Sequence, residues 1–123
     1  MTWSPQQVDE KIEQLLERQD ELLGDLLERG VLKDQCDDAY ERAKRDATTA
    51  GKATGKNEAD RRAKLLAVQV RPGVTILDLR SDRNRSKTAY YDTLALINKI
   101  EKQLDLLQTL HVTHRNASAS GPR

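Results

Sequence analysis

Residues 86–114 have the sequence SKTAYYDTLALINKIEKQLDLLQTLHVTH, which carries the strongest periodic signal in the chain. Its seam positions alternate in steps of four and three and are mostly apolar: Ser86, Tyr90, Thr93, Ile97, Ile100, Leu104, Leu107, His111 and His114. Because a mean step of 3.5 residues returns to one helix face, this run predicts a coiled-coil-like seam over about four heptads. We expect the helix to cover residues 82–115, followed by a disordered tail over residues 117–123.

A second long helix is predicted near the N-terminus. Ser4 is a suitable N-cap, Pro5 suits the first helical position, and Gln7 completes a capping box. Apolar residues then recur with the spacing of a buried helix face: Val8, Ile12, Leu15, Leu22 and Leu26. This pattern predicts an acidic helix over residues 5–50, and we expect a bend or a short break near Gly30.

The region between these helices predicts an insertion into a helical hairpin. Residues 51–70 indicate a basic, glycine-containing loop followed by a short helix, for which Asn57 is the N-cap. A Pro-Gly pair then indicates a break over residues 71–80, and residues 74–79, VTILDL, could form a short strand or an extended arm. The sequence therefore predicts an all-α fold: a long helical hairpin with a helical insertion, forming one domain over residues 1–116.

The charge is distributed very unevenly along the chain. The 123 residues carry 21 basic and 20 acidic side chains, so the net charge is only +1. Residues 1–41 nevertheless contain four basic and twelve acidic side chains, whereas residues 42–87 contain thirteen basic and five acidic ones. With only 37% hydrophobic residues, the chain has little material for a large core of its own. We therefore expect it to form a homo-oligomer in which copies bury their apolar seams.

Several classes of protein do not fit this sequence. No apolar run reaches 18 residues and no secretory signal is visible, so we expect a cytoplasmic protein without a membrane partner, in the host cytoplasm if phage-encoded. Cys36 is the single cysteine, which excludes an internal disulfide and a cysteine-rich zinc site.

Residues with catalytic or ligand-binding potential do not form a recognisable set. The loop GKATGK has three residues between its glycines and Asn57 after its last lysine, so it departs from a phosphate-binding P-loop. His111 and His114 share a helix face, but a third metal ligand is missing nearby, and a polar end of the seam is the preferred interpretation. We therefore expect no enzyme activity, no catalytic residue, no bound metal and no cofactor.

The basic middle of the chain is the most informative feature for function. If the chain folds back at residues 51–57, five cations gather at one end, where they suit a nucleic-acid phosphate backbone: Arg42, Lys44, Arg45, Lys52 and Lys56. The candidate nucleic-acid contacts also include the cations that open the second helix: Arg61, Arg62 and Lys64. The alternatives are a solvated surface, or pairing with the acidic helix of a neighbouring subunit. Among the tyrosines, Tyr40, Tyr90 and Tyr91 are available for base stacking, and Tyr91 is the best candidate because Tyr90 falls on the seam.

The order of these features resembles the UvsY-type recombination mediators of bacteriophages. The run Arg42-Ala43-Lys44-Arg45-Asp46, followed by a glycine-containing basic loop, is similar to the central basic motif of that family. The downstream helix, the break and the Tyr90-Tyr91 pair near the start of the last helix follow in similar order, so the resemblance covers about residues 36–116. Ala47 and Thr48 stand where the family has aromatic residues.

The resemblance implies a specific function. It implies a non-enzymatic protein that binds single-stranded DNA and helps to load a RecA-like recombinase onto DNA coated by single-strand-binding protein. It further implies that Arg42, Lys44 and Arg45 are the primary phosphate contacts and that Lys52 and Lys56 assist. The last helix would supply the oligomer interface, through Tyr90, Ile97, Ile100, Leu104, Leu107 and His111.

Two other functions fit the same residues. The chain could be a phage structural or assembly protein, a helical adaptor or scaffold without a nucleic-acid role, whose basic segment pairs with acidic helices. It could also be a regulatory protein that docks on a partner through its acidic N-terminal helix, which carries a strong apolar stripe.

Overall fold

A computed structural model describes residues 3–119 of the chain. Three helices and two very short strands follow one another: α1 (Pro5–Thr49), α2 (Glu58–Leu66), β1 (Gln69–Arg71), β2 (Val74–Thr75) and α3 (Ile76–Ala119). Side chains of α1 pack against side chains of α3 in both apolar cores. Helix α2 and the two strands form the segment of the chain that connects α1 to α3. The predicted all-α hairpin with a helical insertion is confirmed.

Helix α1 begins where the sequence predicts and continues without a break to its end. The Gln7 amide donates to Ser4 Oγ at 3.2 Å and the Ser4 amide donates to Gln7 Oε1 at 2.9 Å, which is the reciprocal pattern of a capping box. The helix ends at Thr49, and Gly51 follows with a φ of 74°, which suits glycine. Of the bend or short break predicted near Gly30, the break is wrong, because α1 is helical throughout Pro5–Thr49.

The insertion differs from its predicted bounds. Asn57 caps α2 as predicted, because its side chain accepts from the Asp60 amide at 2.9 Å. The helix ends at Leu66, four residues before the end of the predicted segment 51–70. The strands pair antiparallel, with Gln69 opposite Thr75. Of the extended segment considered for residues 74–79, only the first two residues form a strand.

Helix α3 begins six residues earlier than predicted. The Thr75 amide donates to Asp78 Oδ2 at 2.8 Å and the Asp78 amide donates to Thr75 Oγ1 at 3.3 Å, so Thr75 caps a helix that starts at Ile76. The break predicted over residues 71–80 is therefore wrong in its second half. The helix continues to Ala119, so the start of the predicted disordered tail is helical, and residues 120–123 lie outside the described residues.

The chain divides into two compact units that share both long helices. The terminal unit comprises residues 3–27 and 92–119, and the central unit comprises residues 28–91. In the terminal unit the apolar core consists of side chains from both helices: Leu15, Leu22, Ile97, Ile100 and Leu104. These are the seam positions of the sequence pattern, and they pair the two helices of one chain.

The central unit has a smaller core of different composition. Tyr40 and Ala47 of α1 pack with Ile76, the first residue of α3, and all three are buried. Partly buried side chains from the insertion close this core, including Leu65 and Leu66 of α2 and Val68 before β1. The insertion is therefore held against the hairpin by apolar contacts, which fixes the position of the basic side chains that α2 carries.

Within residues 3–119, none of the helices combines the length and the apolar character needed to cross a membrane.

Candidate nucleic-acid interface

The central unit contains a cleft with a strongly basic lining, which we name the first cleft. Its volume is about 560 Å³, and side chains of α1, α2 and α3 line it together with Ala53 of the loop before α2. One acidic side chain, Glu58, lies among five basic ones: Lys44, Arg61, Arg62, Arg80 and Arg83. The first cleft therefore concentrates positive charge from three helices in one place.

Local helical geometry aims these side chains into the first cleft. Lys44 follows Tyr40 by four residues on α1, and Arg83 follows Arg80 by three residues on α3, so each pair shares one helix face. Arg61 and Arg62 lie in the first turn and a half of α2, whose start is fixed by Asn57. The Gly55 carbonyl accepts from Arg61 Nη1 at 3.4 Å, which ties this side chain to the loop.

Tyr40 is a platform for two of the cations. Lys44 Nζ lies 4.6 Å from the centre of the Tyr40 ring and Arg83 Cζ lies 4.4 Å from it, both within the range of cation–π attraction. Glu41 Oε1 is 3.3 Å from Lys44 Nζ and 3.8 Å from Arg83 Nη1. Tyr40 itself is only 6% exposed, so the expectation that it is available for base stacking is wrong.

The other three cations of the first cleft keep their charge uncompensated by ion pairs. Among residues 3–119, the carboxylates within 4 Å of a cation pair with side chains other than Arg61, Arg62 and Arg80. A cation that is not in an ion pair can neutralise a bound anion without first giving up a carboxylate partner. These three arginines are therefore the side chains best placed to hold a phosphate group.

The structure divides the predicted set of phosphate contacts. Lys44, Arg61 and Arg62 come together in the first cleft. Arg42 and Lys52 instead line a second cleft of about 510 Å³, where Arg71 joins them. Arg42 and Lys44 separate because residues two apart on a helix point in nearly opposite directions.

The remaining predicted residues lie outside both clefts. Arg45 is exposed and lies at a shallow depression beside Lys44 and Leu65. Lys56 and Lys64 are exposed, and they line neither the first nor the second cleft. The single basic cluster expected at one end of the molecule is therefore two clefts with scattered cations around them.

Sequence reasoning missed Arg80 and Arg83 as members of this site. The expected break over residues 71–80 and a helix start at residue 82 placed them outside a common helix. Their spacing of three residues puts them on one face once the helix start at Ile76 is known, and the Thr75-x-x-Asp78 pattern is the signal that gives this start. The buried position of Tyr40 also had a signal, because the alternation of four and three residues that contains Leu22 and Leu26 reaches Tyr40 when it is continued along α1.

Tyr90 and Tyr91 differ in environment, as the sequence predicts. The Tyr90 ring is half-buried beside Gly30, with a ring carbon 3.5 Å from the position a Cβ would take, and Lys33 Nζ lies 5.1 Å from its centre. Tyr91 is 56% exposed. A hydrogen bond from Lys33 to Asp34 raises the pKa of Lys33.

The residues predicted to form an oligomer interface are engaged within the chain. Ile97, Ile100 and Leu104 are buried against α1, and Leu107 packs on the same core. His111 Nδ1 lies 2.9 Å from Asp9 Oδ1 of α1. Self-association through these side chains requires exchange of helices between copies, and an interface that leaves the hairpin intact has to use other residues.

Within the described residues, no group of three or more His, Cys, Asp and Glu side chains is placed to hold a metal ion. Comparison of the chain with protein-family models, with curated proteins and with solved structures finds no match. The resemblance to the UvsY-type mediators therefore stays a prediction that rests on the residues given above.

Proposed function

We propose that this chain is a non-enzymatic protein that binds single-stranded DNA, with the first cleft as its phosphate-binding site. The observation that carries this proposal is the lining of the first cleft, which contains five basic side chains and one acidic side chain. Lys and Arg side chains that neutralise phosphates release counterions from the nucleic acid, which supplies most of the affinity of sequence-independent binding.

The size and the chemistry of the first cleft support a single strand as the ligand. A cleft of about 560 Å³ is large enough to hold one phosphate with its adjoining sugars, which is a short segment of a single strand. Guanidinium groups bind phosphate oxygens in a bidentate manner, and all three cations of the first cleft that are outside ion pairs are arginines.

The finer assignment, an accessory role in phage recombination or replication, depends on the family resemblance. In that role the chain would bind DNA, act as a homo-oligomer and assist loading of a RecA-like recombinase onto DNA coated by single-strand-binding protein. Repetition of the first cleft in an oligomer would strengthen binding, because several weak sites on one particle engage one strand together.

The test is fluorescence anisotropy of a labelled single-stranded oligonucleotide, titrated with the protein at several salt concentrations. The variant R61A/R62A/R80A removes the three unpaired arginines of the first cleft. We expect it to weaken binding strongly and to lower the slope of log K against log salt by about 2, since each lost contact to a single strand lowers the slope by about 0.7.

A matched control removes the same amount of charge elsewhere. Lys99, Lys102 and Arg115 are exposed and belong to the terminal unit, so K99A/K102A/R115A should change the slope much less. Equal effects of the two triple variants would contradict a defined site. Absence of binding by the parent protein at low salt would contradict the proposal as a whole.

The second candidate function, a helical adaptor or scaffold, has one specific observation in its favour. Three leucines of α1 in the terminal unit, Leu16, Leu23 and Leu27, follow one another in steps of seven and four residues and are exposed. This spacing places them on one helix face, where a partner helix could cover them. Failure of the parent protein to bind DNA would favour this function.

A further inference from the structure

The face of α3 that lines the first cleft continues toward an exposed tyrosine. Arg80, Arg83, Lys87 and Tyr91 follow one another in steps of three, four and four residues. Residues with these spacings lie one above the other on a helix surface. At 1.5 Å per residue, Arg80 and Tyr91 are about 16 Å apart along the helix axis. Cations and an aromatic ring therefore share one surface within the central unit.

The Tyr91 ring is exposed and packs edge to face against the ring of Tyr90. Its centre lies 5.1 Å from the centre of the Tyr90 ring at an interplanar angle of 82°, which is the edge-to-face arrangement of attractive aromatic pairs. Tyr90 is in turn seated beside Gly30 of α1. A ring that already packs on a neighbouring ring loses less side-chain entropy on binding than a ring without such a contact.

The charge next to the two tyrosines is favourable for an anion as well. Lys87 lies one helical turn from Tyr91, whereas Lys33, whose Nζ lies over the Tyr90 ring, is paired with Asp34. The facing part of α1 also carries Asp34, Asp37 and Glu41, and of these Asp34 pairs with Lys33 while Glu41 pairs with Lys44 and Arg83. The face of α3 is therefore the more positive side of this surface.

We infer that Tyr91 stacks on a base of the bound strand, so that the site recognises nucleic-acid bases as well as phosphates. This inference rests on the proposed function: one phosphate occupies the first cleft, the strand follows the α3 face past Lys87, and a base beyond it lies on the Tyr91 ring. Because bases in a duplex are already stacked and enclosed, this contact selects for single strands.

The first experiment compares two ligands that differ only in their bases. One is a single-stranded oligothymidylate and the other is an oligonucleotide of equal length built of abasic sites, which has the same phosphates. We expect Y91A to bind oligothymidylate about 5- to 100-fold more weakly than the parent, the effect of one lost base–aromatic stack. Y91A should bind the abasic oligonucleotide as the parent does, and Y91F, which keeps the ring, should bind both ligands normally.

The second experiment observes the contact directly. Trp3 is the single tryptophan of the chain, so the variant W3F/Y91W places the only tryptophan at the stacking position. Its fluorescence should be quenched by oligothymidylate and much less by the abasic oligonucleotide at equal saturation.

The outcomes separate this inference from the proposed function. If the parent binds oligothymidylate and Y91A binds it equally well, or if Y91A loses affinity for both ligands alike, the inference is wrong and the proposed function stands. If the parent binds neither ligand at low salt, the proposed function is wrong and the inference with it.

Discussion

The guanidinium carbon of Arg83 on α3 lies 4.4 Å from the centre of the Tyr40 ring on α1. This contact joins the apolar core of the central unit to its basic surface, because Tyr40 is buried in that core while Arg83 lines the first cleft. The side chain that stabilises the fold is thus the one that positions two cations of the candidate site.

Replacement of Tyr40 should therefore affect stability first. Truncation of a buried aromatic side chain typically costs about 3–5 kcal/mol, so we expect Y40A to lower the free energy of unfolding by that amount. Y40F keeps the ring and both cation–π contacts and should stay within about 1 kcal/mol of the parent. Urea unfolding followed by circular dichroism measures both changes, and a fully stable Y40A would contradict the role assigned to Tyr40.

Two leucines of α3 provide a sharper comparison in the terminal unit. Leu104 is 5% exposed and belongs to the core, whereas Leu106 is 73% exposed. We expect L104A to lower the free energy of unfolding by about 2–5 kcal/mol and L106A to change it by less than about 0.5 kcal/mol. Thermal and urea denaturation of the two variants test this difference. Similar losses in both would mean that α3 does not pack on α1 in the orientation described.

The apolar seam was predictable from the sequence because the spacing of apolar residues along a helix determines which of them lie on the buried face. Ile97, Ile100 and Leu104 stand at seam positions of the sequence pattern and are buried. The partner of the seam was less predictable, since the period is the same whether a helix packs on its own chain or on another copy. The acidic helix of the same chain supplies the partner, through Leu15 and Leu22.

Gly30 shows why a residue type alone can mislead. A glycine inside a helix costs about 1 kcal/mol relative to alanine, which favoured a break at this position. The helix is nevertheless continuous, and the Tyr90 ring packs beside Gly30 at 3.5 Å from the position of a Cβ, which is an ordinary van der Waals distance. A contact between residues 60 positions apart leaves no trace in the local pattern.

The candidate site was predictable in its charge and only partly in its members. The excess of cations over residues 42–87 identified the correct region. The division of Arg42 from Lys44 follows from helix geometry, but the inclusion of Arg80 and Arg83 depends on where α3 begins. An error of six residues at one helix start was enough to remove two arginines from the expected site.

The glycines of the chain allow a test of the loop that supports Arg61. A Cβ at Gly55 would lie 2.6 Å from the Asp60 Cβ and 2.8 Å from the Arg61 amide nitrogen, so G55A has to displace the start of α2. We expect G55A to lower the free energy of unfolding and to weaken DNA binding, because Gly55 also accepts from Arg61. G24A is the control: a Cβ there meets open space within α1, and the variant should be more stable by about 0.5–1 kcal/mol. A G55A variant that folds and binds as the parent does would show that this loop does not hold Arg61.

The two clefts of the central unit can be distinguished by variants that remove equal charge. R42A/K52A removes two cations of the second cleft, and R61A/R62A removes two cations of the first cleft. If only long-range attraction mattered, the two variants would weaken binding of a single-stranded oligonucleotide to the same extent, because both lower the net charge by two. A defined phosphate site predicts a different result: R61A/R62A should lower the salt slope by about 1.4 and R42A/K52A by much less. Anisotropy titrations at three or more salt concentrations measure both slopes. The opposite order would assign phosphate binding to the second cleft, because Arg42 and Lys52 would then be the residues that contact the strand.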